Sequence, residues 1–292
     1  MHPSLPSPRE ITVEFDGRTI AARQWGDPAG EPVLALHGWL DNCASFDQLA
    51  PLLSGLNLVA VDMAGHGRSY HRSRDANYNI WEEVEDVLGV TRALGWHDFS
   101  LLAHSRGAVA SLLSAGAFPE RVKRMALIDG LVPPPAEDHQ APEFLARAIA
   151  QRARYGARKP RPFDSFEDAV KARANGMFPL SDAAARRLVA RGSVALADGG
   201  VSWSNDPRLL ATSSVKLNRA QVQAFLERAT MPVRLVLARD GIVEILERLP
   251  ALLADRANFT IRELPGSHHL HMEGGAEAIA EWFGPFLRGE VD

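Results

Sequence analysis

Short apolar runs recur along the chain, and several of them end in glycine, aspartate or histidine. They are "EITVEFD" (10–16), "RTIAARQW" (18–25), "PVLALHG" (32–38), "NLVAVDM" (57–63), "FSLLAHS" (99–105), "VKRMALID" (122–129), "PVRLVLARD" (232–240) and "NFTIRELPG" (258–266). The later runs are near-continuously apolar, as strands covered on both faces are. Between the runs lie stretches with helical spacing: "ASFDQLAPLL", "IWEEVEDVLGVTRALG", "GAVASLLSAGAF", "GIVEILERLPALLA" and "GAEAIAEWFGPFL". This alternation predicts βα units, hence an α/β fold with a mostly parallel eight-stranded sheet and helices on both faces.

The alternation stops near residue 132, where "LVPPPAEDHQAP" carries a proline-rich linker signal. Helical patterns follow in "PEFLARAIAQRARYG", "SFEDAVKARANGM", "SDAAARRLVARG" and "RAQVQAFLERA", with no strand evident among them. Residues 132–230 are therefore expected to form a helical cap inserted into one core, made of residues 1–131 and 231–292. The insertion is basic, with eleven Lys/Arg against five Asp/Glu over residues 141–192. Solvated helix faces account for this most simply; an anionic substrate such as a coenzyme A thioester is the other use for it.

Composition narrows the setting. The 292 residues are 46% hydrophobic and 23% charged, ordinary values for a soluble globular protein. A net charge of −4 gives no reason to expect nucleic acid as a partner. Cys43 is the only cysteine, which excludes an internal disulfide and points to a reducing compartment. The opening "MHPSLPSPRE" lacks the basic and apolar segments of a secretion leader, and no apolar run approaches the roughly 18 residues that span a bilayer. A cytoplasmic location without a membrane span is the expectation, and nothing in the pattern reports oligomeric state.

In open α/β sheets, ligands bind beyond the carboxyl ends of the strands, so reactive residues just past a strand are the candidates. Four places qualify. After "LALHGWL", Gly38 lets the backbone turn, and the Trp39 N–H becomes one donor to a developing oxyanion, with His37 tying the loop together. Ser105 follows "SLLAH" and precedes a helix. Ala103 and Gly107 supply the small neighbours that a strained nucleophile elbow needs, and the Arg106 N–H is the second oxyanion donor. Alone, Ser105 reads equally well as a helix N-cap.

At the third place, "RLVLARDG" ends a strand in Asp240, a carboxylate that could fix the tautomer of a histidine. Asp240 is preferred because serine, acid and histidine then follow in hydrolase order. Asp129, ending "MALID", satisfies the same order and stays open as the alternative acid. At the fourth, "ELPGSHHLHMEGG" offers His268, His269 and His271, of which one would serve as the base. The spacing is no recognised zinc pattern and thiols are absent, so no metal and no cofactor are expected. His104 and Trp203 are read as walls of the substrate pocket, with Trp203 and the Asp206-Pro207-Arg208 unit packing the cap.

Taken together, these stretches resemble the α/β-hydrolase superfamily. "LHGWLDN" is similar to its oxyanion loop, "DMAGHGRS" to its loop after the fourth strand, "AHSRG" to its nucleophile elbow and "ARDG" to its acid position. "LPGSHHLHME" resembles the histidine segment in which a glutamate stands five residues on, which selects His268 through Glu273. "GGVSWSNDPRLLATS" (199–213) is similar to the serine hydrolase-like, kraken-related subgroup. Two features depart from the pattern: Ala103 replaces the elbow glycine, and the Asp240 segment is about one residue short. The resemblance implies an α/β-hydrolase fold with a helical cap, and a Ser105–His268–Asp240 triad cleaving a carboxylic ester or related acyl bond of a small molecule through an acyl-enzyme. Carbon–carbon bond hydrolysis, acyl transfer on the same triad, or ligand binding without catalysis are the alternatives.

Overall fold

All eight apolar runs become strands of one sheet. The computed structural model describes residues 7–291; residues 1–6, part of the opening read above as lacking a leader, lie outside them. In chain order the elements are β1 (Arg9–Phe15), β2 (Arg18–Gly26), β3 (Glu31–Leu36), β4 (Leu56–Val61), α1 (Glu82–Ala93), β5 (Phe99–His104), α2 (Arg106–Ala117) and β6 (Val122–Ile128). Next come α3 (Ala141–Gly156), β7 (Pro162–Phe163), α4 (Phe166–Ala174), α5 (Asp182–Gly192), β8 (Ser193–Ala195), β9 (Val201–Trp203) and α6 (Arg219–Arg228). The chain closes with β10 (Val233–Asp240), α7 (Val243–Leu253), β11 (Phe259–Ser267) and α8 (Ala276–Leu287).

The main sheet has the order β1-β2-β4-β3-β5-β6-β10-β11. The β1–β2 and β2–β4 pairs are antiparallel, and every later pair is parallel. Side chains alternate across a strand, and both faces of this one are dry. On β3, Leu34 and Leu36 join one apolar cluster with α1, α2, α6 and α7, while Val33 and Ala35 join a second with α8 and the turn Cys43–Phe46. That is why these strands read as unbroken apolar runs. The parallel order carries the carboxyl ends of β3, β4, β5, β6 and β11 to one edge of the sheet.

Two details of the insertion differ from expectation. It holds a small antiparallel sheet of order β7-β9-β8, whose strands of two or three residues are too short to show a period in sequence. Helix α6 also packs into the core, burying Val222 and Leu226 in the cluster shared with α2; the insertion residues that line a cavity with Ser105, the cover, fall between Arg158 and Leu210. Among the described residues, no helix is long and apolar enough to cross a membrane.

The cover is pinned at several points. Arg191, at the end of α5, is 1% exposed and bonds Asp62 after β4 and Glu10 on β1. Glu273 accepts a bond from the Ser181 N–H at the start of α5 (2.8 Å). The Asp206 carboxylate caps the turn Pro207–Leu210 and accepts from Tyr78 (2.8 Å), while Arg208 reaches the Ser73 carbonyl (2.7 Å).

Candidate active site

The turn from β5 into α2 places Ser105 at φ 52° and ψ −115°, a conformation that costs an L-residue energy and persists only when its surroundings impose it. The imposition is steric. A Cβ at Gly107 would lie 2.2 Å from the Leu36 carbonyl oxygen, so helix and strand approach as closely as backbone allows. Ala103 presents a different case. Its methyl is fully buried in an apolar cluster, which accommodates it where a glycine was the family expectation.

Ser105 Oγ lies 2.9 Å from His268 Nε2, and His268 Nδ1 donates to Asp129 Oδ2 at 2.6 Å. Both Asp129 and His268 are buried. Asp129, at φ 45°, is held by its own N–H to the Val236 carbonyl (2.8 Å), and its Oδ1 accepts the Ala238 N–H (3.0 Å).

The expectation for Asp240 is corrected by this geometry. Asp240 is exposed at the end of β10, paired in register with Ser267 beyond an irregularity at Ala238. What the β10 end contributes is backbone: the Ala238 N–H, and Gly241, where a Cβ would lie 2.4 Å from Asp129 Oδ2. The segment that resembles an acid loop forms a wall around the carboxylate of the preceding strand.

The loop after β3 is clasped by two neutral histidines. His37 Nδ1 donates to the Gly38 carbonyl (2.8 Å), so its Nε2 accepts the Met63 N–H (2.9 Å). His66 Nδ1 donates to the Ala64 carbonyl (3.1 Å) and its Nε2 accepts the Leu40 N–H (3.2 Å). Each ring needs one protonated and one bare nitrogen. Burial lowers the His37 pKa and holds that of His66 well below the ordinary value, which keeps both neutral. The expected tying role of His37 is thus visible, and His66 duplicates it. Trp39 between them is 37% exposed, lines the cavity over Ser105, and donates its indole N–H to the Leu209 carbonyl (3.0 Å). Arg106 opens α2, where first-turn N–H groups have no intrahelical partner; its guanidinium turns away to Glu83 (2.7 Å).

A second acid–histidine pair adjoins the first and went unread in the sequence. His269 Nε2 donates to Asp41 Oδ2 (3.1 Å), and Asp41 Oδ1 accepts from Arg173 of α4 (2.6 Å). Burial alone would raise the Asp41 pKa, but the His269 charge and hydrogen bond, with Arg173, hold it well below the usual carboxylate range. His104 does more than wall the pocket. Its Nε2–H donates to the His268 backbone carbonyl (2.8 Å), and burial keeps its pKa well below the ordinary value. His271 is fully buried and pushed down to about 3 by burial, then by His269. Asp41, His104 and His269 bring donor atoms within 4.8 Å of one another and are the residues that could hold a metal ion. The Asp41 oxygens are, however, already engaged by the His269 N–H and Arg173.

Ser105, His268, His104 and Trp203 open on one cavity of about 430 Å³ beneath the cover. Phe178 packs against the His268 ring at 4.4 Å between centroids with the planes tilted by 39°, a contact no motif announced.

A family model described as the alpha/beta hydrolase fold matches residues 31–275. The chain is 33% identical to a serine hydrolase-like protein of Danio rerio over 92% of this chain and 85% of that one. It is 31% identical to a serine hydrolase-like protein of Dictyostelium discoideum, covering 90% and 77%. Among solved structures, a hypothetical protein of Pseudomonas aeruginosa PAO1 superposes with a TM-score of 0.91 at 43% identity, over 95% of this chain and 98% of that one.

Proposed function

The chain belongs to the α/β-hydrolase family, within its serine hydrolase-like group, and from that premise we propose that it cleaves an ester or related acyl bond of a small molecule through an acyl-enzyme. The observation that carries this reading is the unbroken chain Ser105 Oγ–His268–Asp129, at 2.9 and 2.6 Å, opening on a cavity large enough for a small substrate. Ser105 attacks the carbonyl carbon as His268 Nε2 takes its proton. Asp129 keeps the His268 Nδ1–H tautomer and stabilises the imidazolium that forms. The N–H groups of Trp39 and Arg106 receive the negative charge on the carbonyl oxygen, a contribution of about 2.7–4 kcal/mol per donor in sites of this kind. His268 then protonates the leaving group. In the second half-reaction it deprotonates the water that releases the acid and restores Ser105. A ligand-binding role without catalysis would not call for a strained serine whose hydroxyl meets a histidine held by a buried carboxylate.

A fluorophosphonate probe tests the proposal. It is expected to label the wild-type protein and not Ser105→Ala; absence of labelling at neutral pH overturns the mechanism.

A further inference from the structure

Several cations of the insertion are accounted for by carboxylate partners. Arg147 pairs with Glu143, Lys171 with Asp168, Arg173 with Asp41, Arg186 with Glu167 and Asp182, and Arg191 with Asp62 and Glu10. The segment Arg158-Lys159-Pro160-Arg161, between α3 and β7, combines two features. Its three cations form no ion pair among the described residues, and they line the cavity that contains Ser105 and His268 instead of an outer helix face. All three are exposed, so they mark the solvent end of that cavity. Arg158 and Arg161 lie over the rings of Tyr155 (5.1 Å) and Phe163 (5.0 Å), contacts that leave their charge unneutralised.

Among the described residues, no free carboxylate lines that cavity with them. Asp41 and Asp206 line the same cavity, but the first is held by Arg173 and His269 and the second by Arg208 and Tyr78. Apart from these charged groups much of the lining is apolar, with Met177, Phe178, Trp203 and Leu210 on the same cavity as Ser105. A largely apolar cavity with three unpaired cations on its exposed lining fits a molecule that is apolar near the scissile bond and anionic at its far end.

Building on the acyl-hydrolase reading, we propose that the substrate carries an anionic terminus, a carboxylate or a phosphate, which the Arg158–Lys159–Arg161 segment receives while Ser105 engages the acyl carbon. The terminus takes no part in bond making; it raises capture and orients the acyl group.

The test compares nitrophenyl esters of matched length ending in a methyl group, a carboxylate or a phosphate. In 20 mM buffer the better anionic ester is expected to exceed the neutral one in kcat/KM by about tenfold or more, shrinking toward equality at about 0.5 M salt as the field is screened. The triple variant Arg158→Glu/Lys159→Glu/Arg161→Glu should abolish or invert that ratio, whereas Arg186→Glu, on a paired outer face, should not. Which ester gains more identifies the terminus. Thermal melting of the triple variant confirms that it is folded. Neutral esters cleaved as well as both anionic ones, or a ratio that survives the triple variant, overturn the proposal and leave the hydrolase reading standing. Failure to cleave any ester, with no probe labelling, overturns both.

Discussion

Two adjacent histidines each face a buried aspartate, and they differ in what stands at the other end. His268 joins Asp129 to Ser105, so the pair ends at an atom open to the cavity. His269 leaves its Asp41 to face Arg173, so the second pair ends in an ion pair between the core and the cover. In the proposed mechanism the same two residue types thus serve chemistry in one place and architecture in the other. Burial does not separate the roles. The donor nitrogen, Nδ1 of His268 against Nε2 of His269, and the third partner do.

The largest effect should come from breaking the first pair. Asp129→Asn is expected to lower kcat on an activated ester about 10⁴-fold, because the amide favours the wrong His268 tautomer. Asp240→Asn, at an exposed position, should stay within about twofold. If Asp240→Asn were instead the damaging change, the geometry around Asp129 would not be the working one.

Breaking the second pair should register in stability first. Asp41→Asn leaves Arg173 and His269 facing a neutral amide in a buried site, at a cost of about 3–5 kcal/mol in urea unfolding. The accompanying loss of kcat should fall well short of that for Asp129→Asn. Equal kinetic damage without destabilisation would erase the distinction.

A smaller effect follows from pH. His37, His66, His104 and His271 are buried with lowered pKa values, so their protonation favours the unfolded chain. Their contribution is complete above the ordinary histidine value of about 6.5 and is lost as pH falls below it, by up to about 1.4 kcal/mol per pH unit for each. Asp41 adds a further loss only below the usual carboxylate range, whereas Asp47, Glu83 and Asp86, raised by burial, act in the opposite sense. Melting temperature should therefore hold steady from pH 8 to 7 and decline from pH 6.5 to 5. A flat profile across that interval would mean the histidines are not confined as described.

The same contrast explains what could be read in advance. The eight core strands were legible because a strand covered on both faces must be apolar at nearly every position. Ser105 and His268 were legible because each sits in a local turn whose small or flanking residues mark it. The acid was not. Whether Asp129 or Asp240 reaches His268 depends on an irregularity at Ala238 and on the contact between Gly241 and the Asp129 carboxylate, which are properties of two strands together. Asp41–Arg173 and Asp41–His269 span 132 and 228 positions and left no trace in spacing. The small sheet of the cover was hidden for another reason: two or three residues cannot display a period.

Around Ser105, the two small residues of the elbow are constrained by different kinds of neighbour. Gly107 abuts the carbonyl of Leu36, which is main chain and identical whatever side chain position 36 carries. No second mutation can retract that oxygen, so position 107 lies outside the reach of compensation. Ala103 abuts side chains of an apolar cluster, and those can change in concert with it. Epistasis in the elbow is therefore one-sided: position 103, two before the serine, can drift with its neighbours, and position 107, two after it, is fixed by the backbone itself.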